Sequence, residues 1–252
     1  MTPEIIAHRG ASAEAPENTL AAIQMAWQLG ADAAEIDVLL TADGELVVIH
    51  DETTLRTGGV DWAVARHSLA ELKTLDVGTW KSPRFAGERI PTLAEVLDIV
   101  PSGKRLFIEA KCGPEAIPEL KRALGNARTS REQTVLISLN LDTIVAVKQA
   151  LPDRVAFWVT EQSARGASRP SPLEPPTAAL IEQASVAGLD GLDINDLPER
   201  PLGEIALIRH AGLRTCVWTV NSAERALWLR DEGMQSITTD VTSTLRATLS
   251  SR

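Results

Sequence analysis

The chain has 252 residues, 44% hydrophobic and 23% charged. That is an ordinary globular composition, with enough apolar residues for a sizeable core and a length suited to one large α/β domain. Net charge is −9 with a pI near 5.0, which argues against nucleic acid, whose phosphates need clustered Lys and Arg, and against adsorption on anionic membranes.

An anionic substrate would therefore need positive charge placed locally. No apolar run approaches the ~18 residues of a membrane span, so no stable membrane association is expected. The opening Met1-Thr2-Pro3-Glu4 has neither a basic region nor an apolar h-region. No signal peptide is expected, and the cytoplasm is the default compartment. Cys112 and Cys216 fall at the ends of apolar runs and read as buried, inert thiols in a reducing compartment.

In chain order, Glu4 to Ala7 is a short apolar strand ending in His8-Arg9-Gly10. Thr19 to Leu29 has helical periodicity, with Leu20, Ile23 and Trp27 on one face. Ala33 to Leu40 reads as a strand, followed by the turn Ala42-Asp43-Gly44 and a return strand from Glu45 to Ile49 that ends in His50-Asp51. Residues 52–91 are irregular, with one short helix near Ser68 to Asp76, and form an insertion after the second strand. Thr92 to Val100 is helical, with Thr92 and Glu95 spaced as a capping box. Strands are then expected at 105–109, 134–138, 154–159, 190–194, 214–219 and 236–239. Helices follow at 115–126, 141–150, 176–187, 202–211, 222–232 and 241–250. Residues 162–176, rich in Ser and Pro, read as a surface loop or lid. Eight strand–helix pairs in about 250 residues predict a (β/α)8 TIM barrel with a small insertion after strand 2. A doubly wound open sheet is the structural alternative.

Catalytic groups of such barrels sit at the C-terminal ends of the strands. Those ends carry His8-Arg9, Glu35 and Asp37, Glu109 and Lys111, Ser138, Trp218 and Asp240. Glu35 and Asp37 are two apart, so both point to one face, and Glu109 and Lys111 repeat the spacing on the next strand. Three carboxylates aimed at one point repel strongly, and one divalent cation, Mg²⁺ or Ca²⁺, would resolve this with oxygen ligands alone. Ion pairing with Arg9 and Lys111 without a metal is the plainer alternative. A two-residue turn at Asp43-Gly44 would set Asp37 directly opposite His50. His8 and His50 then flank the acids as a general acid–base pair, and Arg9 and Lys111 add positive charge for a phosphodiester. His67 and His210 read as structural.

Several motifs resemble the glycerophosphodiester phosphodiesterase family. They are His8-Arg9-Gly10, Pro16-Glu17-Asn18-Thr19, Glu35-Ile36-Asp37-Val38 and Val48-Ile49-His50-Asp51. Leu55-Arg56-Thr57, Ile90-Pro91-Thr92-Leu93, Glu109-Ala110-Lys111, Val217 to Asn221 and Thr239-Asp240 continue the likeness, which covers nearly the whole chain. The resemblance implies one catalytic barrel over residues 1–252, with the 52–91 insertion over its mouth. It implies metal-dependent hydrolysis of small glycerophosphodiesters to glycerol 3-phosphate and an alcohol. Carried over by motif, Glu35, Asp37 and Glu109 would hold the metal and His8 and His50 would be catalytic. Arg9, Lys111 and Trp218 would bind substrate, Glu17 and Asn18 would tie down the first loop, and Asp51 would orient His50. Ala110 and Leu139 depart from the larger aliphatic and the aromatic common at those positions, which bears on the alcohol group. Two other functions compete: a lysophospholipase D or sphingomyelinase-like phosphodiesterase on the same barrel, and a non-catalytic binding barrel.

Overall fold

A computed structural model describes residues 2–164 and 173–250. Among them, eight strands pair in parallel: β1 (Glu4–Ala7), β2 (Ala33–Leu40), β3 (Arg105–Ala110), β4 (Thr134–Ser138), β5 (Val155–Thr160), β6 (Gly191–Asn195), β7 (Arg214–Trp218) and β8 (Ser236–Thr239). β1 pairs with both β2 and β8, so the sheet closes into the expected barrel. A helix precedes each next strand: α1 (Leu20–Gln28), α2 (Leu93–Asp98), α3 (Ile117–Asn126), α4 (Leu141–Ala150), α5 (Thr177–Val186), α6 (Glu204–His210), α7 (Ala223–Asp231) and, at the end, α8 (Thr242–Ser250). None of these helices is long and apolar enough to cross a membrane.

Strand periodicity of two builds two separate cores. Ile5, Ile36, Ile108, Leu136, Leu192, Val217 and Ile237 face outward and pack with helix residues such as Ile23, Val96, Leu120, Ile144, Leu180 and Leu245. Their neighbours Ile6, Ala33, Phe107, Val135, Phe157 and Cys216 fill the barrel interior. Each fully buried Val, Leu, Ile or Phe among them contributes roughly 1.5–3 kcal/mol. The interior is plugged at this level, so an open site can exist only nearer the strand ends.

Expectations about the hairpin and one helix need correction. The hairpin turn has three residues, Ala42 to Gly44, closed by Thr41 N–H donating to Glu45 O at 2.9 Å and Gly44 N–H donating to Thr41 O at 3.1 Å. Gly44 takes φ +83°, a value suited to glycine in a turn of this length. The return strand is Leu46–Val48, and its register sets Val38 against Val48. Asp37 therefore lies opposite Ile49, whose N–H donates to Asp37 O at 3.0 Å, and not opposite His50. The helix near residue 68 is also shorter than expected, Leu69–Leu72. The Asp76 carboxylate accepts from the N–H groups of Gly78, Thr79 and Gly87, which bends the chain into a loop.

The capping boxes at Thr92/Glu95 and Ser68/Glu71 are both formed. The insertion has its own small core, with Leu39, Val47 and Ile49 packing against Val64, Leu72, Val77 and Ile90. Leu39 lies on the same strand face as Asp37, two residues further along. Of the expected lid at 162–176, residues 165–172 lie outside the described residues. The flanking pieces Ser163–Ala164 and Leu173–Glu174 pair antiparallel. His67 Nδ1 donates to Ala63 O and the ring stacks on Trp62, and His210 Nδ1 donates to Ala206 O, both local contacts as expected. Cys216 is buried, whereas Cys112 is only half-buried because it lies just past the end of β3.

Candidate functional site

The β1–α1 loop is shaped by its sequence. Gly10 has φ +81°, and a Cβ there would lie 2.6 Å from the Ala22 backbone of α1, so only glycine lets the loop pack against that helix. Arg9 (φ 56°) and Asn18 (φ 57°) also adopt left-handed backbone, a strain that tertiary contacts must hold. The contacts are on the acids of β2. Arg9 N–H donates to Glu35 Oε2 at 3.0 Å, and Asn18 Nδ2 donates to Asp37 Oδ2 at 2.8 Å. Asn18 Oδ1 accepts from Asp37 N–H at 3.2 Å.

At the C-terminal ends of the strands lies a cavity of about 180 Å³. Of the residues proposed from sequence, His8, Arg9, Glu35, His50, Glu109, Lys111 and Trp218 line it. Asp37, 1% exposed, lies behind them and is paired in register with Glu109. His50 reaches the cavity from the segment that follows the return strand, not through strand register. Ile137, Leu139, Val159, Asp193 and Thr238 complete the lining.

One side of the cavity is charged. Glu35, Asp37 and Glu109 offer carboxylate oxygens that all lie within 4.8 Å of one another. Lys111 Nζ is 3.6 Å from Asp37 and 3.7 Å from Glu109, and Arg9 Nε is 3.3 Å from Asp37. Arg9 Nη1 donates to Glu17 at 2.8 Å. These two cations do not neutralise the cluster. Burial, then the charges of Asp37 and Glu109, push the Glu35 carboxyl well above the carboxylate range, and burial followed by Asp37 raises Glu109. Glu35 Oε1 is buried with no partner. An oxygen-only donor set with an orphaned carboxylate oxygen fits a hard divalent cation.

The two histidines are held alike. His8 Nδ1 donates to Asp240 Oδ1 at 2.7 Å, and His50 Nδ1 donates to Asp51 Oδ1 at 2.7 Å. A carboxylate can only accept, so each Nδ1 carries a hydrogen and each Nε2 is left for the cavity. Both acids are ionised. Burial alone would raise Asp240, but hydrogen bonds from His8 and Asn221 outweigh it and bring it to about 2. Hydrogen bonds from Arg56, ahead of that from His50, bring Asp51 to about 2 against a smaller effect of burial. Arg56, from the insertion, donates to Asp51 at 2.7 Å and to both oxygens of Glu17 at 2.7 and 2.8 Å. The expected roles of Glu17 and Asn18 in tying the loop, and of Asp51 beside His50, match these contacts.

Sequence reasoning placed Asp240 at a strand end but missed its bond to His8, which joins residues 232 apart. It missed Asp193 altogether. The available signal was a charged residue inside the apolar run Gly191-Leu192-Asp193-Ile194, on a strand buried on both faces.

Comparison with known proteins accords with this geometry. Residues 8–244 match the glycerophosphoryl diester phosphodiesterase family. A glycerophosphodiester phosphodiesterase of Caldanaerobacter subterraneus subsp. tengcongensis is 36% identical over 245 residues, covering 96% of this chain and 95% of the relative. One of Bacillus subtilis is 30% identical, covering 93% of this chain and 82% of the relative. Among solved structures, an Oleispira antarctica phosphodiesterase in complex with the product sn-glycerol-3-phosphate superposes with a TM-score of 0.88 at 30% identity, covering 99% of this chain and 98% of that one. A glycerophosphodiester phosphodiesterase of Agrobacterium tumefaciens gives 0.79 at 28% identity, over 97% and 99% of the two chains. The chain belongs to the glycerophosphoryl diester phosphodiesterase family and is a phosphoric diester hydrolase.

Proposed function

We propose that the cavity hydrolyses glycerophosphodiesters to glycerol 3-phosphate and an alcohol, with His8 and His50 as general acid and base. The observation that carries the reading is the pair of imidazoles, each held at Nδ1 by an ionised carboxylate, on the same cavity as the acidic triad. The Oleispira enzyme's bound product supports glycerol 3-phosphate as the product.

In this reading the phosphodiester lies among Arg9, Lys111 and the Trp218 indole N–H, a buried donor with no partner. One histidine takes the proton of the attacking oxygen through Nε2, either water or the substrate's own 2-hydroxyl, whose cyclic phosphate water then opens. The other gives a proton to the alcohol oxygen as its bond to phosphorus breaks. Asp240 and Asp51 keep both rings in the tautomer this needs and stabilise whichever imidazole is charged. Glu35, Asp37 and Glu109 would hold one Mg²⁺ or Ca²⁺, which supplies positive charge to the phosphoryl oxygens as negative charge develops there. Arg9 is engaged by Glu17 and Asp37, so it serves the phosphate from a fixed position.

The chain acts as one catalytic domain, with residues 52–91 folded over the mouth and limiting the alcohol side of the substrate. Lys81 Nζ and Arg84 Nη2 donate to the carbonyls of Ser12 and Glu14 in the β1–α1 loop, at 2.6 and 2.7 Å, which supports that placement. The two free thiols suit the cytoplasm. The test is hydrolysis of glycerophosphocholine, glycerophosphoethanolamine, glycerophosphoglycerol and lysophosphatidylcholine by purified protein, before and after chelation. Turnover of the water-soluble diesters, lost on chelation and restored by Mg²⁺ or Ca²⁺, is expected. Preference for lysophosphatidylcholine, or full activity after exhaustive chelation, would overturn the reading.

A further inference from the structure

The acids discussed so far lie on or beside β1–β3 and β8. Asp193 lies across the barrel, at the middle of β6, in register with Val159 on β5 and Cys216 on β7. It is 3% exposed and lines the cavity, and its Oδ1 is buried with no partner. Its surroundings are otherwise apolar or weakly polar. Val159 and Ile137 belong to the interior cluster, and Cys216 Sγ sits 3.7 Å from Thr238 Oγ1. Burial, only partly offset by a hydrogen bond from the Cys216 thiol, pushes the Asp193 carboxyl up to about 7.

A carboxyl that only braced a barrel would be expected to have both oxygens satisfied, because an unpartnered buried polar atom costs stability. An orphaned oxygen on a residue that lines a cavity instead points to a ligand group that completes it. The lining on this side is largely apolar and the cavity holds only about 180 Å³, which suits a small hydrogen-bonding group. A hydroxyl fits, because it donates to a carboxylate and accepts from a carboxylic acid, so either protonation state of Asp193 serves.

The layout of the cavity says which hydroxyl. The charged half on β1–β3 takes the phosphate in the reading above. The glycerol carbons then extend toward Ile137 and Val159, and the hydroxyl furthest from phosphorus meets the far wall. We propose that Asp193 is a specificity-determining residue that hydrogen-bonds the free terminal hydroxyl of the substrate's glycerol. This rests on the proposed function and deepens it: the enzyme would select diesters whose glycerol carries no acyl chain at that position, because an ester there has no hydrogen to give and no room to pass.

The experiment compares glycerophosphocholine with 2-hydroxypropyl phosphocholine, which lacks only the terminal hydroxyl, for wild type, Asp193→Asn and Asp193→Ala. A site built to bond a hydroxyl discriminates strongly against the analogue lacking it, so wild type should prefer glycerophosphocholine by about 10²-fold or more in kcat/KM. Asp193→Ala should bring that ratio close to one, and Asp193→Asn, which keeps the shape and a hydrogen-bonding amide, should retain part of it. Competitive inhibition by glycerol 3-phosphate against 2-hydroxypropyl phosphate should follow the same order without turnover. Thermal unfolding adds a readout that a bracing role would move the other way: Asp193→Ala should melt at or above the wild-type temperature. Equal losses on both substrates in Asp193→Ala, or a wild type that hydrolyses both equally well, would overturn the inference while leaving the proposed function intact. A wild type that hydrolyses no glycerophosphodiester would overturn both.

Discussion

Asp240→Asn tests the positioning of His8 with almost no change of shape. Asp240 Oδ1 accepts from His8 Nδ1 at 2.7 Å and from Ser12 Oγ at 3.0 Å, and Oδ2 accepts from Asn221 Nδ2 at 2.7 Å. An asparagine has one acceptor oxygen for these three donors. If that oxygen stays toward His8, the new amide NH₂ meets the NH₂ of Asn221. Asn221 cannot turn over, because its own oxygen accepts from Thr239 Oγ1 at 3.1 Å and from Asp240 N–H at 2.9 Å. If the NH₂ instead faces His8, Nδ1 must become the acceptor and the hydrogen moves to Nε2, the wrong tautomer for the cavity. A mismatched buried donor costs ~1–3 kcal/mol, and the lower end applies because the Asp240 side chain is 34% exposed. Losing a correctly poised acid or base costs ~10²–10⁴-fold in rate. We therefore expect kcat to fall about 10²-fold, or about 2.7 kcal/mol in the barrier. KM should change little, since Asp240 does not line the cavity. Stability should respond to pH as well. Asp240 is held at about 2, below the ordinary aspartate range, so its contribution is complete above that range and is lost as pH falls toward 2. The wild type should lose melting temperature through that window more steeply than Asp240→Asn. Steady-state hydrolysis of glycerophosphocholine and thermal melts from acid to neutral pH supply both readouts. A variant within about threefold of wild-type kcat would refute the tautomer argument.

Three further outcomes are expected. Adding Mg²⁺ or Ca²⁺ to chelated protein should raise its melting temperature, by the equivalent of about 2.7 kcal/mol at a hundredfold excess over Kd, and Glu35→Gln should abolish the rise; an unshifted melt in wild type would contradict a metal at the triad. His8→Ala and His50→Ala should each lower kcat ~10²–10⁴-fold, and the double variant by much less than the product, because the two act as a unit; multiplicative losses in single-turnover assays would argue against that. Arg56→Ala removes the link from the insertion to Asp51 and Glu17. Arg56 is 44% exposed, so each lost pair is worth ~0.2–1 kcal/mol and kcat should drop only a few-fold, with a larger shift in the ranking of alcohol groups; an unchanged ranking would count against the insertion covering the mouth.

Much of this protein is legible in one dimension because the cues are local. Strand–helix alternation, the capping box at Thr92/Glu95 and the two-residue spacing of Glu35 and Asp37 depend only on neighbours in the chain. They suffice for the barrel, for the bounds of its strands and helices to within a residue or two, and for an acidic cluster at the strand ends. The hairpin shows where local reasoning stops. Asp43-Gly44 suits a two-residue turn, but Thr41 closes a three-residue one through its backbone and side chain, and a shift of one residue moves Asp37 from His50 to Ile49. His50 nevertheless reaches the cavity, because the chain leaves the sheet after Val48 and is steered by Asp51 and Arg56 rather than by register. What only the tertiary structure decided is which groups from distant strands share a space. The bond from His8 to Asp240 exists because the barrel closes β1 against β8. The exposure of Asp193 to the cavity exists because β6 stands across from β2. Closure is a property of the whole sheet, and no window of sequence contains it.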